Sequence, residues 1–410
     1  MSKNISKFHY ALIVLALLSL NIVEQAASVI NATIPGMKGT FSNQSLVNIE
    51  LITTIVSMFV TIFVLISGFV VKQIGQKNTA ILGLAIASIS SIIPAFLKDF
   101  NIIIISRAIL GAGIGLANPL AISLIGVFFY GDQRAKLMGW RSAIAGLGTA
   151  LMTFIAGQLL VFSWHASYLV YLLFIPTLLL FIFFVPDPVK SGAIKRQEQE
   201  QKKELQKAAN EGNEVQQDSI ALIAELTLLI FLGLVSAMIF FVKLPTFFVE
   251  NNIGSPTQAS NVLSLINISN VIGGFIFGIC YKKLKKFILP FALGIGGIAT
   301  CLISISRNMW VITIISILYG IVCSLSIPYI FNRISEVSSA KKAPFFTSIA
   351  LVGSNLGSFL SPIIANYLGT QSSTVIFNAG LINIVTGVVT LIVIIATKER
   401  RHHVHQKLVK

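Results

Sequence analysis

The sequence predicts an all-α membrane protein with twelve transmembrane helices in two pseudo-repeated six-helix bundles. Three observations carry that prediction. Of the 410 residues 55% are hydrophobic and only 11% charged, too little polar surface for a soluble protein of this length. Apolar runs of the ~20 residues needed to cross ~30 Å of hydrocarbon recur along the whole chain. The basic residues, finally, gather on alternate sides of those runs.

We place the spans at 10–34, 47–71, 79–97, 102–129, 139–162, 168–185, 220–246, 257–280, 287–305, 309–331, 345–368 and 375–396. The first run follows a short basic leader and is longer than a secretion-signal core, so it is expected to be a retained helix. Of 30 Lys and Arg, 24 fall in the termini and the loops after even-numbered spans, while the opposite side carries only Lys38, Lys98 and Arg307. By the positive-inside rule both termini are cytoplasmic in a multi-pass plasma-membrane protein. The net charge of +15 therefore records topology in a lipid bilayer, and no nucleic-acid partner is expected. Cys280, Cys301 and Cys323 lie in or beside apolar spans without metal spacing, and the histidines sit at span and chain ends, so no metal or cofactor is expected.

Residues 186–219 form the one long hydrophilic stretch, read as a cytoplasmic connector with Glu198 and Lys202 at helical i,i+4 spacing. It divides an N-terminal bundle (1–185) from a C-terminal bundle (220–397), followed by a basic cytoplasmic tail (398–410). The halves share glycines in register: Gly68 and Gly278 are 210 apart, and Gly111 with Gly320 and Gly148 with Gly357 are each 209 apart. Three such matches in step with the span count indicate duplication, as in transporters built from parallel six-helix repeats.

Over nearly its whole length the chain resembles the major facilitator superfamily. The loop after span 2 reads Gly68-Phe-Val-Val-Lys72-Gln-Ile-Gly75-Gln-Lys77, similar to that family's G-x-x-x-D-x-x-G-x-K, with Lys72 at the acidic position. Span 4 carries Arg107-Ala-Ile-Leu-Gly111-Ala-Gly113, like its R-x-x-x-G-x-G pattern. In span 5, Gly139, Gly148 and Gly157 match the antiporter signature, but Met152-Thr153 stands where that signature has Gly-Pro. Spans 1 to 3 also resemble Gram-positive bacterial transporters, conjugated bile salt transporters included. The resemblance implies secondary transport by alternating access, with Gly68, Lys72, Gly75 and Lys77 serving conformational switching and spans 1 and 4 lining the cavity.

Polar side chains inside hydrocarbon are costly, so their positions mark a protein interior or a wet cavity. Asn21, Glu24, Gln25, Ser28 and Asn31 recur at three- and four-residue steps and share one face of span 1. We expect that face to line a cavity, a hydrogen-bonded helix contact being the alternative. Glu24 is the one acid deep in a span. At ~1.5 Å per residue it lies ~21 Å from the start of span 1, while Arg107 lies ~8 Å below the outer start of span 4, so their depths nearly coincide. Glu24 is the candidate proton-coupling residue, and Arg107 is its expected partner or a receptor for an anionic group. Further substrate-binding candidates are Asn118, Lys243, Asn267, Asn270 and Ser354. Ser260 and Ser264 extend the span 8 stripe, and Ser358 and Ser361 that of span 11. Lys243 is expected at the outer interface, and Arg141 at the entry of span 5 facing headgroups.

No G-x-x-x-x-G-K-[ST] motif is present, and no nucleophile–base pair can be assembled within the spans, so an ATP-driven pump of that type and an enzyme are not expected. The expected partner is a small amphipathic organic solute, in the first instance an organic anion, with protons as coupling ion and the chain a monomer. Proton-coupled multidrug efflux and a non-transporting membrane sensor are the alternatives.

Overall fold

Nine helices among the described residues of the computed structural model are long and apolar enough to cross a membrane, and a bent pair at the N-terminus makes a tenth. The structure describes residues 7–24, 26–129, 131–191, 193–194, 219–338 and 342–408. Most of the connector and residue Gln25 lie outside these residues. The stretch Leu46–Phe96, two helices joined across a kink at Gly75, covers the expected spans 2 and 3, and the apolar stretch Pro256–Ile305 covers spans 8 and 9. Span 1 is the bent pair, with Tyr10–Val23 and Ala26–Thr40 meeting at 47°.

Helix starts follow local chemistry. Short polar residues stand just before the apolar runs and accept from the first exposed amides: Ser45 from Asn48, Asp99 from Ile102, and Asn308 from Trp310 and Val311. Between spans 2 and 3 the chain turns at Gly75, whose φ of 82° and ψ of 164° lie in a region open essentially to glycine alone. Gly75→Ala is accordingly expected to cost about 1–3 kcal/mol, seen as a lower melting temperature of the detergent-solubilised protein.

The chain divides into two units, 1–216 with 256–264 and 217–255 with 265–410. In the first, spans 2, 3 and 4 make the tightest packing. Cβ atoms added at Gly111 and Gly115 would sit 2.5 and 2.7 Å from the carbonyl oxygens of Val56 and Val60, and one at Gly83 2.6 Å from that of Gly113. Span 4 is a single unbroken helix, Phe100–Phe128, in spite of Pro119. In the second unit an apolar core is built from Ile223, Ile230, Ile288, Leu293, Tyr329 and Phe346, among others. Its last helix, Ser372–Leu408, continues through most of the expected tail.

The glycine register becomes contact geometry in both units. Gly111 of span 4 seats on Val56 of span 2, and Gly320 of span 10 seats on Ile266 of span 8. Gly148 of span 5 receives Ile22 of span 1, and Gly357 of span 11 receives Phe231 of span 7. The partner residues are themselves 210 and 209 apart, so the duplication holds at the level of packed pairs. Gly68 and Gly278 match too: a Cβ at either meets nothing within 4 Å.

Candidate functional site

Span 1 breaks where its polar face lies. The helix Lys7–Glu24 gives way to a 3-10 segment, Ala26–Thr33, and then to Ile34–Thr40. A break in hydrocarbon leaves carbonyl groups off the helical ladder, and these must find donors within the protein. Arg107 supplies them. Its guanidinium donates from Nη2 to the Ala27 carbonyl at 2.9 Å, from Nε to the Ile52 carbonyl at 3.2 Å, and from Nη1 to the Tyr171 hydroxyl at 3.1 Å. Tyr171 passes its own proton to the Ala26 carbonyl at 2.9 Å. Arg107 is fully buried, and its guanidinium carbon lies 5.9 and 5.5 Å from the rings of Tyr168 and Tyr171. One side chain thus ties spans 1, 2, 4 and 6 together.

Arg107 meets span 1 at Ala27, three residues beyond Glu24 in the sequence. The side chain of Glu24 and all of Gln25 lie outside the described residues. Among the described residues Arg107 donates to neutral oxygens.

One helical turn before the break, Asn21 is fully buried, and its Nδ2 donates to the Leu17 and Leu18 carbonyls at 3.2 and 3.0 Å. Its Oδ1 accepts from Arg141 Nε at 2.5 Å. This corrects the expectation for Arg141: the guanidinium turns inward to span 1 rather than outward to headgroups. A turned-in arginine escapes the desolvation penalty only by finding an oxygen, and the span 1 amide offers one. Lys243 needs a similar correction. It is only 6% exposed, whereas a lysine snorkelling to the outer interface would leave its ammonium in water.

The remaining candidates divide into two groups. Ser28, Asn118, Asn267 and Asn270 are half-buried, and no hydrogen bond from their side chains is seen among the described residues. Ser354 instead donates to Leu351 of its own helix at 2.9 Å; Ser358 and Ser361 likewise bond back to the carbonyls of Ser354 and Ser358. Two serines of the span 8 stripe are also engaged, since Ser260 donates to the Thr153 carbonyl and Ser264 to the Ala150 carbonyl, each at 2.7 Å. Segment 256–264 belongs to the N-terminal unit, and Gly157 admits it: a Cβ there would lie 2.4 Å from Ser260. That contact is a structural reason for the last glycine of the span 5 pattern.

At the loop after span 2, Lys77 donates to the Ile182 carbonyl in the last turn of the span 6 helix at 3.0 Å, a favourable place for a cation. Gln76 reaches Ser123 of span 4 at 3.3 Å. Lys72 is exposed, with its ammonium 5.9 Å from the Phe69 ring.

Sequence reasoning missed two features. Glu50, at the start of the second apolar run (47–71), is fully buried, and nothing in the stretch around it signals that. Tyr168 and Tyr171, which wall Arg107, are also fully buried. Their three-residue spacing within a span was a signal that could have found them. Asn31 is fully buried in the 3-10 segment, with neither side-chain atom hydrogen-bonded.

Apolar spanning helices, two units with matching internal contacts and polar groups concentrated at a broken helix define a polytopic membrane protein. The profile of the Major Facilitator Superfamily matches residues 16–250 and 226–409, and the chain belongs to that family. The methylenomycin A resistance protein of Bacillus subtilis is 29% identical over 148 residues, 35% of this chain and 31% of that protein. The chain therefore matches less than a third of the length of that relative. The quinolone resistance protein NorA of Staphylococcus aureus is 26% identical over 312 residues, 73% of this chain and 75% of that one. Among solved structures, the inward-open xylose transporter XylE of E. coli superposes with a TM-score of 0.74 at 14% identity, covering 93% of this chain and 95% of that one. A peptide transporter in complex with alafosfalin gives 0.67 at 15% identity, covering 94% of each chain. At these identities the likeness is one of fold.

Proposed function

We propose that this transporter is a proton-coupled exporter of amphipathic organic compounds, with Glu24 as the coupling acid and both termini in the cytoplasm. The observation that carries this reading is the engagement of Arg107. The cation that the sequence offered to an anionic cargo is enclosed by the carbonyls of Ala27 and Ile52 and the Tyr171 hydroxyl. Among the described residues, the candidates without a side-chain hydrogen bond are neutral: Ser28 and Asn118 in the first unit, Asn267 and Asn270 in the second. Neutral groups among aliphatic and aromatic side chains suit a large, weakly polar or cationic molecule. Two relatives bear names of antibiotic resistance, against methylenomycin A and quinolones, which supports the same reading. Energy comes from the proton gradient: protonation of Glu24 removes a charge from span 1 and lets that helix repack as access alternates.

An organic anion, bile-salt-like in character, is the second reading. It is favoured by the three cations inside the spans, Arg107, Arg141 and Lys243.

Counterflow in proteoliposomes tests both readings, with norfloxacin, ethidium and taurocholate as probes and with or without a pH gradient. Gradient-driven movement of norfloxacin or ethidium is expected, and Glu24→Gln should make their transport insensitive to pH. Flux of taurocholate alone would establish the anion reading instead. Binding without flux would identify a sensor. A Glu24→Gln protein that keeps the full pH dependence would remove Glu24 from coupling.

A further inference from the structure

The turn between spans 8 and 9 carries four lysines in five positions, Lys282, Lys283, Lys285 and Lys286. All four are exposed, and none donates a hydrogen bond among the described residues. The corresponding loop of the first unit holds two lysines, Lys72 and Lys77, and Lys77 is spent on the Ile182 carbonyl. The positive-inside rule asks only that cations stand near span ends. It does not explain why four of them crowd one short turn, where they repel one another. The backbone adds a second observation. Helix Pro256–Leu284 gives way to the 3-10 turn Lys285–Phe287, which leads into Ile288–Ile305. Lys285 opens that turn with a φ of 49°, in the left-handed region where a Cβ is penalised and glycine fits best. A lysine standing where glycine would relax the backbone points to a use for its side chain.

The flanking helices set the surroundings of this turn. Phe277, Tyr281 and Leu284 of span 8 pack against the apolar core of the second unit, to which Ile288 and Leu289 of span 9 belong. Span 8 also presents Ile272, Phe275, Ile279 and then Lys283 at steps of three and four, so these four share one face. That face is uncovered: Phe275 is 72% and Ile279 61% exposed. Beside it, a Cβ added at Gly274 or Gly278 would meet nothing within 4 Å. On the span 9 side Phe287 and Phe291 are exposed, and the Lys286 ammonium lies 5.6 Å from the Phe287 ring. The turn is anchored from behind. Glu336 accepts from Tyr281, Asn332 and Arg333, which ties the residue preceding Lys282 to helix Ser326–Glu336.

We propose that this turn and the exposed face of span 8 form a docking site for an anionic phospholipid. The lysines hold its phosphate, and an acyl chain lies along Ile279, Phe275 and Ile272. The order of the surface is that of the lipid: charge at the helix end, then an apolar column along the helix. At ~1.5 Å rise per residue Ile272 stands ~17 Å from Lys283. One leaflet of a ~30 Å hydrocarbon core is about that deep. A soluble anion would use the cations and leave the column uncovered. Lysine suits the headgroup, because a compact ammonium on a flexible stem meets phosphate oxygens from several directions. Each such cation near the boundary contributes about fivefold to affinity for anionic lipid.

Native mass spectrometry of the full chain in detergent micelles, titrated with phosphatidylglycerol or phosphatidylcholine, is the test. The parent protein should retain phosphatidylglycerol in preference. Lys282→Gln/Lys283→Gln should weaken that retention by about fivefold for each lysine removed and leave phosphatidylcholine unaffected. Lys285→Gly separates charge from backbone strain. Its melting temperature should hold or rise, while its affinity for phosphatidylglycerol falls about fivefold. Phe275→Ser/Ile279→Ser keeps every charge, so it should weaken retention of the whole lipid but not binding of the deacylated headgroup, glycerophosphoglycerol. Equal retention of the two lipids by the parent would overturn the proposal. So would an unchanged affinity for phosphatidylglycerol in folded Lys282→Gln/Lys283→Gln and Lys285→Gly proteins. Displacement of the lipid by inorganic phosphate at the same concentration would make this a site for soluble anions instead. Displacement by a hexaglutamate peptide would make it a site for an acidic protein segment.

Discussion

Arg107→Met should abolish transport and cost the protein about 3 kcal/mol or more of stability. The substitution retains an apolar stem of similar length but removes three donated hydrogen bonds at once. A buried acceptor that loses its donor costs about 1–3 kcal/mol, and two carbonyls and a phenol are affected here. The Ala27 carbonyl is the most exposed to this loss, since it belongs to the 3-10 segment after the break rather than to a continuous helix. Arg107→Lys should not rescue the protein, because an ammonium cannot reproduce the planar fork that reaches spans 1, 2 and 6 together. Thermal unfolding in detergent checks the first part, and counterflow with the probes above checks the second. A stable, transporting Arg107→Met protein would mean that the break in span 1 is supported by other groups.

The second large effect concerns glycines that look alike in the sequence. Gly111→Val should destabilise the protein by about 3 kcal/mol or more, at the upper end of overpacking costs. The first atom of the new side chain would already sit 2.5 Å from the Val56 carbonyl oxygen, so the helix backbones of spans 2 and 4 would have to part. Gly320→Val should behave the same way in the second unit, where the contact is 2.8 Å from the Ile266 carbonyl oxygen. Gly68→Ala and Gly278→Ala are the matched controls. Nothing lies within 4 Å of either added Cβ, so each should be neutral or gain the roughly 0.5–1 kcal/mol that alanine has over glycine inside a helix. If Gly68 and Gly278 serve conformational switching, these two proteins will fold normally and still transport at altered rates. Expression level and melting temperature of the four variants, measured side by side, separate the two classes.

The contrast shows where legibility in the sequence ended. The glycine register exposed the duplication, and even pointed to spans 4 and 10 as corresponding elements. It could not say that Gly111 is wedged on a backbone while Gly68 faces open space. The same limit appears at the polar residues. Helical spacing placed Asn21, Glu24, Ser28 and Asn31 on one face, and rise per residue put Arg107 at their depth. Neither quantity names the element on the other side of that face. Arg141 was therefore assigned to headgroups although it turns inward to Asn21, and Lys243 to the interface although it is buried. Ser260 and Ser264 were grouped with Asn267 and Asn270 as one stripe, yet their hydroxyls bond to span 5 carbonyls.

By itself the sequence determined the recurrence of apolar helices long enough to cross a membrane, the uneven placing of Lys and Arg along the chain, the paired glycines and the family pattern. All of these follow from hydrocarbon thickness, the cost of moving charge across it and the fixed geometry of a helix, which act along one chain segment at a time. Tertiary structure alone decided which polar groups are open and which are engaged: Arg107 closed over the break in span 1, Arg141 turned to Asn21, Ser354 bonded to its own helix. Those outcomes depend on which two surfaces meet. A buried donor takes whichever oxygen the neighbouring helix presents, and that neighbour is chosen by the packing of the whole unit.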